Sequence, residues 1–144
     1  MADSPQRVGD VMTAEVVTLD AGDHLDLASD IMTLGRIRHM PVVRDGKLVG
    51  ILSQRDLFRG AISSVLQFRP AAEREWLAKI RVEEVMTKHV VAAEPDWPIR
   101  RAVGVMIEGR FGCLPVVDEE QRVVGLLSET DCLRLLASYL TSSQ

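Results

Sequence analysis

The stretches GILSQRD (50–56) and GLLSETD (125–131) keep glycine, leucine, serine and aspartate in step while the residues between them change. Each follows a Pro-Val-Val run, at 41–43 and 115–117, and each leads into an apolar pattern of helical period. One short chain therefore makes the same strand-to-helix passage twice. What serine and aspartate do there decides how the sequence is read.

Outward from these stretches the repetition continues. Val8-Gly-Asp-Val-Met-Thr13 matches Val82-Glu-Glu-Val-Met-Thr87 at an offset of 74 residues, which also aligns Val16-Val17 with Val90-Val91, Met32 with Met106 and Gly35-Arg36 with Gly109-Arg110. From Gly50 onward the offset becomes 75. The slip falls between two apolar runs. There Asp45-Gly46 suits a two-residue type I′ hairpin turn, and the second copy has the longer, glycine-free DEEQR. A longer hairpin loop absorbs one residue without moving either strand.

Each half reads β-α-β-β-α. A short β-rich run (Val16–Leu19; Val90–Ala93) precedes a helix with Leu25, Ala28, Ile31 and Met32 on one face, or Ile99, Ala102, Val103 and Met106. Asp23 is the expected N-cap of the first of these helices, and Pro98 fits the first turn of its counterpart. Gly35 and Gly109 are expected to end them in the left-handed C′ conformation. Hairpins follow (Met40–Val43 with Leu48–Ser53; Leu114–Val117 with Val123–Ser128), then helices from near Gln54 and Glu129. The predicted fold class is α/β: two such repeats packed about a pseudo-twofold axis, since about 50 residues bury little core alone. The repeats are expected over 8–60 and 82–140, with a helical connector over 61–81. In that connector Ala61, Ile62, Val65 and Leu66 extend one helix and Pro70 opens another. Trp76, Leu77 and Ile80 share one side of this second helix, with Glu73, Arg74, Glu75 and Lys79 mostly on the other. The stretch is read as a packed connector, or as an interface to a partner or a second copy.

Composition narrows the function classes. The chain has 144 residues, 47% apolar and 26% charged, and a net charge of −4 that disfavours nonspecific nucleic-acid binding. No apolar run reaches the roughly 18 residues of a membrane span, and the start MADSPQRVGD lacks a signal core. Cys113 and Cys132 lack metal-type spacing and suit a reducing cytoplasm, with a core role for both. No Ser-His-Asp order, phosphate-binding glycine loop or His-Glu-x-x-His appears, so no enzyme, cofactor or metal is expected.

Two readings of Ser-x-x-Asp stand side by side. As a capping box, Ser53 and Ser128 accept from backbone N–H groups while Asp56 and Asp131 reach back. As a ligand site, the helix N-terminus offers N–H groups to phosphate and the carboxylate takes two hydrogen bonds from a vicinal diol. The acid preferred in a capping box is Glu or Gln, yet both copies carry Asp.

The order Val-Met-Thr, Val-Val, Ala-x-x-x-Met, Ile-Arg-His-Met-Pro-Val-Val and Gly-Ile-Leu-Ser-x-x-Asp-Leu resembles a cystathionine-β-synthase (CBS) domain. Two copies, from about Val8 to Leu140, resemble the tandem pair called a Bateman module. The resemblance implies a regulatory module that binds AMP, ADP, ATP or another adenosine compound such as S-adenosylmethionine in clefts between repeats. It implies ribose on Asp56 and Asp131, with Ser53 and Ser128 beside ribose or phosphate. It places Thr18, Ile37, Arg38 and His39 around the first site, and Val91, Phe111, Gly112 and Cys113 around the second. It also implies a homodimer and an output through shape, assembly or a separate regulated protein. Arg38-His39 is replaced by Gly112-Cys113, Thr18 by Ala92 and Arg55 by Thr130, so the first site is the better equipped for a charged nucleotide. Arg38 also fits a solvated surface arginine, and His39 a packed or pH-responsive histidine. The rival reading is a scaffold in which Ser-x-x-Asp only caps helices.

Overall fold

The computed structural model describes residues 6–65 and 70–142, with side chains described outside 61–65, 70–73 and 142. Leu66 and the side chains of Ala61, Ile62, Val65 and Glu73 therefore lie outside the described residues. The elements in chain order are α1 (Val8–Val11), β1 (Leu19–Asp20), α2 (Leu25–Gly35), β2 (His39–Arg44), β3 (Lys47–Ser53), α3 (Gln54–Val65) and α4 (Pro70–Leu77). They continue with α5 (Val82–Val85), α6 (Ile99–Gly109), β4 (Cys113–Val117), β5 (Val123–Ser128) and α7 (Glu129–Ser142). This is a mixed α/β fold with two sheets.

The chain divides into two compact units that do not follow the sequence repeats. Val17–Val90 form one, and the stretch before Val17 joins Val91 onward to form the other. In the first unit β1 runs parallel to β2, and β2 pairs antiparallel with β3. Leu19, Leu25, Met40, Val42 and Leu52 fill its core, and Val82 of α5 is buried among them. In the second unit β4 pairs antiparallel with β5, and Ala93 makes a parallel bridge to Val116. Val8 of α1 is buried there with Ala102, Met106, Leu114 and Leu127. Each Val-Met-Thr stretch is thus built into the unit holding the other repeat's hairpin.

The hairpins form where the alternation predicts them. Asp45 and Gly46 both take positive φ, 53° and 81°, as a type I′ turn requires. In the second copy the Asp118 carboxylate accepts the N–H groups of Glu120 and Arg122, at 2.8 and 2.9 Å, and so organises a longer loop without glycine.

Three local expectations are corrected. The β-rich runs shrink to two residues in β1 and to a single bridge at Ala93, because Val16/Val17 and Val90/Val91 are where the chain passes between units. The N-caps of α2 and α6 are His24 and Pro98, without side-chain cap bonds. Asp23 instead uses its carboxylate to accept the Asp20 N–H at 2.8 Å. The left-handed residues after these helices are Arg36 (φ 53°) and Arg110 (φ 56°), not the glycines. Gly35 and Gly109 end the helices for a different reason. A Cβ there would stand 2.9 Å from the Ile37 side chain or 2.2 Å from the Phe111 ring, so glycine makes room for the side chain that folds back.

Candidate functional site

Asp56 and Asp131 are the buried charged side chains among the described residues, 7% and 6% exposed. Each lies in the first turn of a helix that starts directly at the end of a hairpin strand. A carboxylate buried there needs donors, and the fold supplies them. Asp56 Oδ2 accepts the Ser53 N–H at 2.9 Å, while Ser53 Oγ accepts the Asp56 N–H at 3.0 Å. Asp131 Oδ2 accepts from both the N–H and the hydroxyl of Ser128, at 2.9 and 3.0 Å, and the Asp131 N–H donates to Ser128 Oγ at 3.2 Å. Both pairs are reciprocal capping boxes built with aspartate.

A further donor comes from the Val-Met-Thr stretches. Thr87 Oγ1 donates to Asp56 at 3.3 Å, and Thr13 Oγ1 donates to Asp131 at 3.1 Å. Two backbone hydrogen bonds hold each threonine in place. Thr13 exchanges N–H···O bonds with Leu126, both 2.9 Å, and Thr87 with Ile51 at 2.8 and 3.0 Å. The preceding methionines, Met12 and Met86, lie against Gly125 and Gly50. The two repeated motifs thus meet: methionine covers the glycine, threonine bonds the aspartate. The sequence aligns Val-Met-Thr and suggests Met12 and Met86 as core fillers but leaves the threonine without a task, although its duplication at the repeat offset was the available signal.

The other predicted residues gather unequally. His39 lies across from Ser53 in the β2–β3 register, and Cys113 across from Ser128 in β4–β5. The Arg38 carbonyl accepts the Gln54 N–H at 2.8 Å, and the Gly112 carbonyl accepts that of Glu129 at 3.2 Å. Thr18 is exposed just before β1, whose parallel pairing puts it at the sheet edge where β2 begins and β3 ends. Val91, also exposed, precedes the bridge at Ala93. Ile37 packs on the core of its unit, and Phe111 lines a groove between α6 and α7. Asp131 and Thr13 open instead on a pocket of about 350 Å³ with Met12 and Arg134, whose guanidinium is 3.8 Å from Asp131 Oδ1. Arg134 escaped the sequence reading because it stands outside the motif.

Burial, then the Glu129 charge, pushes the Cys113 thiol up to about 12, and burial also raises Cys132. Among the described residues no His, Cys, Asp and Glu group is placed to hold a metal, and no helix is long and apolar enough to cross a membrane.

The sequence profile of the CBS domain matches residues 8–63 and 82–138. The chain belongs to the CBS-domain family. This CBS pair is 32% identical to a homoserine O-acetyltransferase of Methanohalobium evestigatum, over 92% of this chain and 24% of that protein. It spans from about a quarter to about a half of the length of curated relatives of this kind. Its fold matches the CBS domain pair of protein MJ0100 in complex with 5′-methylthioadenosine and S-adenosyl-L-methionine (TM-score 0.76, 28% identity, 93% and 98% of the two chains). It also matches the cytosolic domain of the Mg²⁺ channel MgtE in complex with ATP (TM-score 0.73, 28% identity, 92% and 49%).

Proposed function

We propose that this CBS pair is a regulatory module that binds an adenosine-containing ligand, AMP, ADP, ATP or a related compound, with ribose on Asp56 and Asp131. Its output is a change of shape or assembly, as a homodimer or with a regulated protein, and it carries no catalysis of its own. The supporting observation is the pairing of a buried carboxylate with an exposed threonine hydroxyl at a helix start, made twice. A diol that replaces the threonine donor keeps the carboxylate satisfied, and the positive end of the helix dipole beside it favours an anion. The ligands in the MJ0100 and MgtE structures are adenosine compounds, which supports the same class here. Arg38 and His39 stand beside the first site where the second has Gly112 and Cys113, so the first is the stronger nucleotide site.

The alternative is a scaffold whose Ser-x-x-Asp pairs only cap, and the reciprocal Ser53–Asp56 bonds favour it. Calorimetry separates the two. Thermal unfolding with AMP, ADP, ATP and S-adenosylmethionine is run first, where a ligand at 100 times its Kd adds roughly 2.7 kcal/mol. Asp56→Glu keeps the charge but moves the carboxylate about one methylene outward. It is expected to weaken the best ligand by roughly 1–3 kcal/mol, and Asp131→Glu to weaken it less. Unchanged binding in both variants leaves capping as the whole role. Light scattering that finds only a 16.0 kDa species at micromolar concentration counts against the homodimer.

A further inference from the structure

The two aspartate sites carry opposite charge on the residues next to them. Lys88 and His89 follow directly on Thr87, which bonds Asp56, whereas Ala14 and Glu15 follow on Thr13, which bonds Asp131. At the helix starts Gln54 and Arg55 correspond to Glu129 and Thr130, and before the hairpins Arg38 corresponds to Gly112. One turn into each helix stands an arginine, Arg59 or Arg134. Arg134 lies 3.8 Å from Asp131 Oδ1, while no ion pair among the described residues engages Arg38, Arg55, Arg59 or Lys88. The flanks of Asp56 thus offer exposed cations without a carboxylate partner. Those of Asp131 add two carboxylates, Glu15 and Glu129, to a single engaged arginine. Burial, then the Asp131 and Glu129 charges, raises the Cys132 thiol, so both carboxylates act on one point. Asp10 and Glu84, at equivalent places, each accept a capping N–H and leave the contrast unchanged.

We propose that the two sites divide adenosine compounds by charge. The Asp56 site takes nucleotides, and the Asp131 site takes an adenosine whose 5′ substituent lacks phosphate and is a neutral thioether or a cationic sulfonium. This rests on the ligand reading above. With the ribose diol on the carboxylate, the substituent on the ribose 5′ carbon is the part that meets the flanking side chains. Phosphate oxygens need cationic donors, which Arg38, Arg55, Arg59 and Lys88 supply. Beside Asp131 a phosphate meets Glu15 and Glu129 instead, with the Arg134 charge already engaged, and like charges brought together select against it. A sulfonium is attracted by the same carboxylates. Each Val-Met-Thr stretch docks on the other repeat's hairpin, so Lys88 and Glu15 set the choice from outside the repeat that supplies the aspartate.

The test is calorimetry of the full chain with ATP, S-adenosylmethionine and 5′-methylthioadenosine. The native chain is expected to bind one ATP and, with ATP saturating, one S-adenosylmethionine or one 5′-methylthioadenosine. Two double variants exchange residues between the repeats at exposed positions, so each installs what the other repeat already carries and is expected to keep the native unfolding temperature. Arg55→Thr with Lys88→Ala is expected to weaken ATP by about tenfold or more and to change S-adenosylmethionine by less than about twofold. Ala14→Lys with Glu15→His is expected to weaken S-adenosylmethionine by about fivefold or more and to raise the ATP stoichiometry from one to two. Competition of ATP with S-adenosylmethionine for one site, two equal ATP sites in the native chain, or a folded variant that weakens both ligands alike overturns the division and leaves the ligand reading standing. Absence of binding by all three compounds overturns the ligand reading and the division with it.

Discussion

An added Cβ on Gly50 would stand 2.6 Å from the Met86 sulfur and 2.8 Å from the Thr87 carbonyl oxygen, and one on Gly125 would stand 2.5 Å from the Met12 sulfur. A thioether can swing aside, but the carbonyl is fixed by its bond to Ile51. Gly50→Ala is therefore expected to cost about 1–3 kcal/mol in urea unfolding. Arg36 and Arg110 point the other way. Each holds a left-handed backbone that costs a side-chain-bearing residue about 1–2 kcal/mol, so Arg36→Gly or Arg110→Gly is expected to raise stability by about 1 kcal/mol. At the thiols, burial keeps Cys113 protonated far above neutrality. A thiol-disulfide dye at about pH 8 is expected to leave it unmodified in the native chain and to reach it in denaturant. The reciprocal Ser53–Asp56 and Ser128–Asp131 capping bonds were legible because the repeat singled those residues out. The helix-ending arginines were not, since a positive φ there follows from the fold-back of Ile37 and Phe111, which pattern alone does not reveal.

Among elements, α4 shows what period and spacing can carry. Its start at Pro70 and the inward position of Leu77 follow from the sequence, whereas Ile80, read on the same helix, lies past its end at Leu77 and packs against the core from the turn. Leu77→Ala is expected to cost about 2–4 kcal/mol, whereas exposed Glu75→Ala is expected to stay within about 0.5 kcal/mol; chemical denaturation of both variants checks the contrast. The Arg74 hydrogen bond, partly opposed by desolvation, holds the Asp30 carboxyl below its ordinary value of 3.8. A depressed folded-state value contributes stability above the unfolded value and loses it as the pH falls through the folded one. Urea midpoints measured in acid and at neutral pH are therefore expected to differ less in Arg74→Ala than in the native chain. The first strands were misread because Val16-Val17 and Val90-Val91 look like strand interior. They serve as crossings between units, and only a partner strand out of local view distinguishes the two uses.

At the scale of the molecule, the repeats in sequence and the units in space are different objects. Val8 is fully buried in the core built by residues after 91, and Val82 in the core built by residues before it. A fragment of residues 17–90 contains every member of its own core and is expected to fold alone. Residues 91–144 lack Val8 and the Thr13–Leu126 bridge, and are expected to stay unfolded until a synthetic peptide of residues 6–16 is added. Far-UV circular dichroism during that titration checks both, and a folded 91–144 fragment without the peptide contradicts the assignment. The duplication and the hairpins were readable from periodicity and turn chemistry. The exchange of Val-Met-Thr stretches was not, because two equivalent docking sites of nearly the same sequence look identical until the chain is traced.

That exchange imposes an order of events on the ribosome. Thr13 leaves the ribosome 118 residues ahead of its partner Asp131. At about 5–20 residues per second the early segment waits roughly 6–24 s before its binding surface exists. The equivalent surface at Gly50–Asp56 emerges much sooner and offers nearly the same glycine, serine and aspartate. Should Val8–Thr13 dock on this nearer hairpin in that interval, correct assembly would require Val82–Thr87 to displace it.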